Sequence, residues 1–224
     1  MIASRQIAFG RGGSRGPTAK DYVQDGLVAM WDGIENAGWG KHDDGATICK
    51  NLMGGWDATG NVIGENIFRG DGGAPGIWTG SELSVINGNF TVDFCIPQSI
   101  ESTTLIFVFD DGSTLGFRYS VSGVRTGYLK FQVRYVDASG DHKSVYPMEK
   151  EGVDGVAIMY GDGKFYVFAN GTYVTVYDAI NPTDVKRGVM FQNTPFHGFR
   201  IYNRTLTAEE IAYNYSIDKA RFGL

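Results

Sequence analysis

The side chains in this 224-residue chain that could do chemistry are carboxylates, three histidines, two cysteines and a set of tryptophans among glycines. Retaining hydrolysis of a glycosidic bond takes two carboxyl groups about 5–5.5 Å apart. On a strand, acids on one face stand two residues apart. Glu149 and Glu151 are the nearest such pair, but Lys150 and Gly152 beside them read as a solvated turn. His42, His142 and His197 are dispersed, no Cys-x-x-Cys occurs, and zinc is not expected. The run GRGGSRG (10–16) lacks the G-K-(S/T) of a phosphate loop and follows no strand. The expectation is a protein without catalytic residues.

Two binding chemistries remain. Calcium takes loop carboxylates and carbonyls, and Asp43, Asp44, Asp71, Asp110 and Asp111 fall in loop-like stretches. Aspartates also cap their own turns, so calcium is a possible cofactor without a named ligand set, and no other cofactor is expected. Trp39, Trp56 and Trp78 precede residue 80. A tryptophan face can stack on a sugar ring, or it can pin a long loop to the core. Trp39 is the candidate contact, in NAGWGKHDD (36–44), with His42, Asp43 and Asp44 as polar neighbours. Cys49 and Cys95 are expected to be reduced, buried thiols.

The elements that would position these residues are short strands. Glycine makes up 32 of 224 residues, about twice the usual share, and aromatic residues reach 13%. Both favour strands joined by tight turns. GLVAMWD (26–32) is apolar on both faces, as a strand inside a two-layer structure is. A long irregular region to about residue 80 follows, with short strands expected around Ala46–Leu52 and Asn61–Phe68. Alternation then predicts strands at Asn89–Ile96, Leu105–Phe109, Leu115–Val121, Leu129–Tyr135 and His142–Tyr146. Turns are expected at Asp110–Ser113 and Asp137–Asp141. Further strands are predicted at Val156–Tyr160, Phe165–Ala169, Thr172–Tyr177, Val189–Gln192 and Gly198–Asn203. Asn170-Gly171 signals a type I′ hairpin. One helix closes the chain, with Thr207 and Glu210 as a capping box, Ile211 and Tyr215 on one face, and Gly223 as its stop.

Charge divides the chain. Residues 1–20 carry Arg5, Arg11, Arg15 and Lys20 and no acid, so the rest carries −9 of a net −5. The expected organisation is a flexible basic Gly-rich arm over residues 1–20 and one β-sandwich over 21–224. An acidic body does not suit nucleic acid. No apolar stretch suits a secretory signal or a membrane span, so synthesis in the cytoplasm is expected.

FHGFRIYNRTLTAEEIAYNY (196–215) closely resembles the closing segment of LamG-like, concanavalin A-like domains, in which R-I-Y-N-R is followed by A-L-(S/T)-x-E-E-I. Thr205 stands where that pattern has Ala. NFTVDFCI (89–96) resembles the family's F-T-(I/V)-x-x-W strand, with Cys95 in place of Trp, and GDGKFYVFANGTYV (161–174) its D-G…N-G hairpin. The resemblance implies an all-β jelly roll of two antiparallel sheets. Its glycanases carry E-x-D-x-E or E-x-D-x-x-E, and neither occurs here. Its members include lectins, adhesion modules and phage or mobile-element surface proteins, so fold does not settle function. The expectation is a non-enzymatic, oligomeric component of a phage particle, at the virion or extracellular surface. Arg5, Arg11 and Arg15 would dock the arm on a neighbouring subunit, and a cell-surface glycan is a possible ligand. A free carbohydrate-binding module or lectin is the alternative, with a glycoside hydrolase behind both. Neither nucleic acid nor membrane is an expected partner.

Overall fold

The computed structural model describes residues 16–36, 41–43, 45–55, 57–62, 66–70, 89–97, 102–108, 114–120, 129–136, 142–150, 152–178, 189–192 and 195–224. The strands are β1 (Leu27–Asp32), β2 (Ile48–Cys49), β3 (Ala58–Val62), β4 (Phe68–Gly70), β5 (Phe90–Cys95), β6 (Ser102–Val108), β7 (Thr114–Ser120) and β8 (Leu129–Val136). They continue as β9 (His142–Lys150), β10 (Gly155–Gly161), β11 (Lys164–Ala169), β12 (Thr172–Asp178), β13 (Val189–Gln192), β14 (Pro195–Phe196) and β15 (Gly198–Tyr202), and α1 (Ala208–Phe222) follows. The fold is an all-β jelly-roll sandwich with one C-terminal helix. One sheet has the order β1-β15-β5-β10-β11-β12 and the other β13-β6-β7-β8-β9, both antiparallel. A small sheet, β14-β4-β3-β2, joins the early loops to the end of the chain.

Alternation on β5 explains how the six-stranded sheet is used. Phe90, Val92 and Phe94 share a face with Phe199, Ile201, Val156 and Ile158, by register across β15 and β10. All are buried. The opposite face carries Thr91, Asp93, Arg200 and Met30, and it is buried as well, because α1 lies on it with Ile211, Asn214 and Asp218 inward. Met30, Tyr202, Ala157 and Phe168 from this face form one apolar cluster with Leu206 and Ile211. The helix starts as its sequence predicts. Thr207 Oγ1 accepts from the Glu210 N–H (3.2 Å), and the Glu210 carboxylate accepts from the Thr207 N–H (2.8 Å). Gly223 ends it at φ 72°, where a glycine is favoured.

The Asn170-Gly171 turn has φ of 52° and 72°, the two positive values a type I′ hairpin needs. Three expectations change. The strand foreseen at Asn61–Phe68 is a hairpin, in which Val62 pairs with Phe68. Asn66 turns the chain there at φ 62°. The strand foreseen at His142–Tyr146 runs on to Lys150 through Pro147. Proline cannot donate to a ladder and is tolerated on an edge strand or at a bulge, and β9 offers both: it is the sheet edge, and its register with β8 shifts between Phe131 and Val133. Glu149 therefore stands on a strand, opposite Lys130, and not in a turn. The turns expected at 110–113 and 137–141 lie outside the described residues, as do Glu151, Trp56 and Trp78.

At the N-terminal side, Ala19–Asp21 form one 3-10 turn. Ala19 is fully buried and its N–H donates to Glu35 Oε1 (2.9 Å). Residues 1–15, with Arg5, Arg11 and Arg15, lie outside the described residues.

Candidate functional site

The loop that follows β1 holds the described part of the candidate sugar contact. His42 Nε2 donates to the Asp32 carbonyl (2.7 Å), and the ring lies over Phe68 at 6.3 Å between centroids. Half-buried and turned to the protein, His42 fixes this loop to β1 and β4. Asp43 is exposed beside it. Trp39 and Asp44 lie outside the described residues, so only His42 and Asp43 are placed together. The Cys49 thiol also donates to the Asp32 carbonyl (3.5 Å) and stands 3.7 Å from His42 Nε2. It is no nucleophile, because burial pushes it up and holds it protonated. Cys49 and Cys95 are free and buried.

His197 is the most enclosed described histidine. Its Nδ1–H donates to the Asn66 carbonyl (2.8 Å), and the ring stacks on Phe222 at 4.8 Å. Burial lowers its pKa below the ordinary value of 6.5, outweighing the Asn66 contact, which raises it. The unfolded chain therefore binds the proton more readily. The contribution is fully present above about pH 6.5 and is lost as pH falls through that value towards the depressed folded one. Stability should decline over this window, and His197→Gln should flatten the decline. Urea midpoints between pH 5 and 8 measure it, and parallel profiles for both proteins would refute the assignment.

Among the described residues, the densest set of charged groups is under α1, and it is structural. Arg200, with no exposed surface, donates from Nη1 and Nη2 to the two Asp218 oxygens (2.8 and 2.7 Å) and from Nε to Asp93 (3.1 Å). The Tyr22 hydroxyl donates to Asp218 (2.7 Å), and the Asn214 amide to Asp93 (2.8 Å). Arg221 closes the set on Asp32 (2.6 and 3.0 Å) and Glu35 (3.2 Å). Both guanidinium groups lie over the Tyr22 ring, at 4.0 and 5.3 Å. Carboxylates that are buried and ion-paired in this way have no access to substrate. Outside the cluster, a groove of about 510 Å³ opens between residues 21–25 and the start of α1, with Asp21, Asp25, Glu209, Glu210 and Tyr213 on its walls. Its sign opposes that of the basic N-terminal segment.

Register divides the residues of the five-stranded sheet between two faces. By register, Leu105, Phe117, Phe131 and Met148 share one face, and Thr104, Arg118, Lys130 and Glu149 share the other. Gln132 and Arg134 lie on that second face as well, since β8 alternates. By the same register Ile106, Val108 and Met190 lie on this second face too. The alternation of Lys130, Gln132 and Arg134 is visible in the sequence; the pairing that sets Arg118 beside Lys130 needs the register.

Among the described residues no three His, Cys, Asp or Glu side chains come together to hold a metal ion. No described helix is long and apolar enough to cross a membrane. Asp44, Asp71, Asp110 and Asp111 lie outside the described residues.

No family model matches the chain, and no curated protein does. Solved structures share its fold. A Trypanosoma rangeli sialidase in complex with sialic acid aligns with TM-score 0.54 at 16% identity, over 93% of this chain and 34% of the sialidase. The botulinum neurotoxin serotype G binding domain aligns with TM-score 0.52 at 15% identity, over 87% of this chain and 51% of its own. The serotype D ligand-binding domain in complex with N-acetylneuraminic acid gives 0.52 at 16%, over 86% and 51%. The chain thus spans about a third to a half of the length of these proteins, and the likeness is one of fold.

Proposed function

We propose that this chain is a non-enzymatic glycan-binding sandwich of LamG-like type, an adhesion component on the surface of a phage particle. The observation that carries the binding reading is the division of labour between the sheets. The one described α-helix lies on the six-stranded sheet, and in the five-stranded sheet the strand register sets Thr104, Arg118, Lys130 and Glu149 on one face. Hydroxyl, amide and guanidinium groups are the partners that sugar hydroxyls and carboxylates take. The shared fold supports the reading, since one neighbour is a neurotoxin domain in complex with N-acetylneuraminic acid. The non-enzymatic part rests on the described carboxylates: Asp93, Asp218 and Asp32 are locked to arginines.

The assembly part rests on charge. A basic segment 1–20 precedes a groove walled by four acids. One experiment covers both readings: a glycan array with the full chain, followed by assay of free sugar released from every glycan bound, with light scattering of the same sample. Retention of glycans without release, by a species larger than the monomer, is the expected result. Released sugar removes the non-enzymatic reading, and no retention removes glycan binding. A monomer that binds glycans favours a free carbohydrate-binding module.

A further inference from the structure

We infer that the groove at the start of α1 is the docking site for the N-terminal segment of a second copy of this chain, whose Arg5, Ile7, Phe9 and Arg11 seat there and join the copies head to tail. The inference rests on the assembly reading above and deepens it.

The groove, of about 510 Å³, combines an apolar lining with acidic walls. Tyr22, Val23 and Tyr213 supply the first, and Asp21, Asp25, Glu209 and Glu210 the second. Two of the acids are used within the fold. Asp21 accepts from the Thr18 N–H (2.6 Å) and hydroxyl (2.9 Å), and Glu210 takes both Nη groups of Arg204 at 2.8 Å. Asp25 and Glu209 are the exposed pair. Asp25 also meets Arg204 (3.0 Å), but 88% of its side chain is open to solvent. An ion pair so exposed is worth little, and the carboxylate can take a second cation. Arg204 offsets only one of the four acids.

The segment has the matching pattern. Residues 1–15 hold Arg5, Arg11 and Arg15 and no acid, and Ile7 and Phe9 stand between the first two arginines at every second position. In an extended chain Arg5, Ile7, Phe9 and Arg11 fall on one side, with the outer two about 20 Å apart. An apolar centre between two cations complements an apolar groove between acids. Guanidinium also pairs with carboxylate two bonds at a time.

The direction of the chain decides which copy's groove is filled. Residues 19–25 run along α1 from its last turn to its first. The Ala19 N–H donates to Glu35, which Arg221 also holds. The Tyr22 hydroxyl reaches Asp218, the Val23 N–H reaches Asn214 (3.0 Å), and Asp25 meets the arginine that holds Glu210. These partners step back along the helix from 221 to 210, about 16 Å of its axis. The segment thus departs at one end of α1, and the groove opens at the other. To fill its own groove it would have to reverse and retrace this path, whereas a neighbour's groove requires no reversal. A contact between unlike ends of successive copies is heterologous and builds rings or filaments.

The test is light scattering of full-length variants, alone and mixed. The parent should form species larger than the monomer, and salt should weaken them by screening the pairs. Arg5→Gln, Arg11→Gln and Arg15→Gln together should weaken association about tenfold or more, and so should Asp25→Asn with Glu209→Gln. Lysine at the three arginine positions should restore part of it. Mixed, the two neutralised proteins should form a complex of one each and stop there, because the first keeps its groove and the second its segment. Unfolding midpoints confirm that each variant folds. If either variant associates like the parent, the segment or the groove is not the contact, and the inference is overturned while assembly stands. If both are monomers that do not combine, the joining is not head to tail, and the inference is overturned as well. A parent that stays monomeric removes the assembly reading together with the inference and leaves glycan binding, read on the array, untouched.

Discussion

Replacing Arg200 with methionine should destabilise the fold by about 3–5 kcal/mol, the usual cost of leaving buried charge uncompensated. Asp93 and Asp218 keep 4% and 1% of their surface exposed. In the native protein Arg200 supplies three hydrogen bonds and a positive charge to these two carboxylates. Without it, Asn214 still donates to Asp93 and Tyr22 to Asp218, but both donors are neutral. The variant must bury two anions or protonate one. A carboxyl in that position has its folded pKa raised above the unfolded value. Its contribution is then present below the unfolded value and lost as pH rises. The gap between parent and variant should therefore narrow on going from pH 7 to pH 4.5. Urea unfolding at both values measures it. A gap under about 1 kcal/mol at pH 7 would show that the cluster is not held by its charges.

This cluster marks the limit of what the sequence conveys. Alternation in NFTVDFCI identifies Phe90, Val92 and Phe94 as one face. It says nothing of what covers Thr91 and Asp93, which a strand pattern reads as the wetter side. The helix covers them, and all six residues of β5 are buried. Arg200 is hidden for the same reason, since a cation in a strand ordinarily marks solvent. The signal was on the helix. Ile211, Asn214 and Asp218 are spaced i, i+3 and i+7, a core-facing stripe, and all three are buried. A carboxylate in such a stripe requires a cation across from it. The hairpins were legible wherever turn chemistry is local, as at Asn170-Gly171. The 61–68 segment was not, because its strands are short and pair with each other and with β2 and β14 rather than following a long alternation. The candidate binding face shows the same division. Polar positions on β8 are in the sequence, while the Arg118–Lys130 juxtaposition joins residues from different strands and exists only in the register.

Gly155→Ala should cost about 2–3 kcal/mol, at the upper end of what overpacking costs, and most of that cost should disappear when Tyr215 is also replaced by alanine. A Cβ at Gly155 would meet the Tyr215 ring at 2.5 and 2.8 Å. An unrestrained ring would swing aside. This one is tethered, since its hydroxyl donates to Asp154 Oδ1 (2.7 Å) and its Cβ would stand 3.2 Å from a Cβ on Gly171. Gly171 has a φ of 72°, and the same added Cβ would lie 3.1 Å from the Ala212 Cα of the helix. The helix thus rests on backbone at two glycines, and the closeness of that approach sets where Asn214 and Asp218 meet Asp93 and Arg200. A four-protein cycle of parent, G155A, Y215A and the double variant isolates the coupling, expected at about 2 kcal/mol. Each is unfolded in urea. Additive losses, within about 0.5 kcal/mol, would mean that the helix shifts without cost and that its depth on the sheet is set by the buried ion pairs instead.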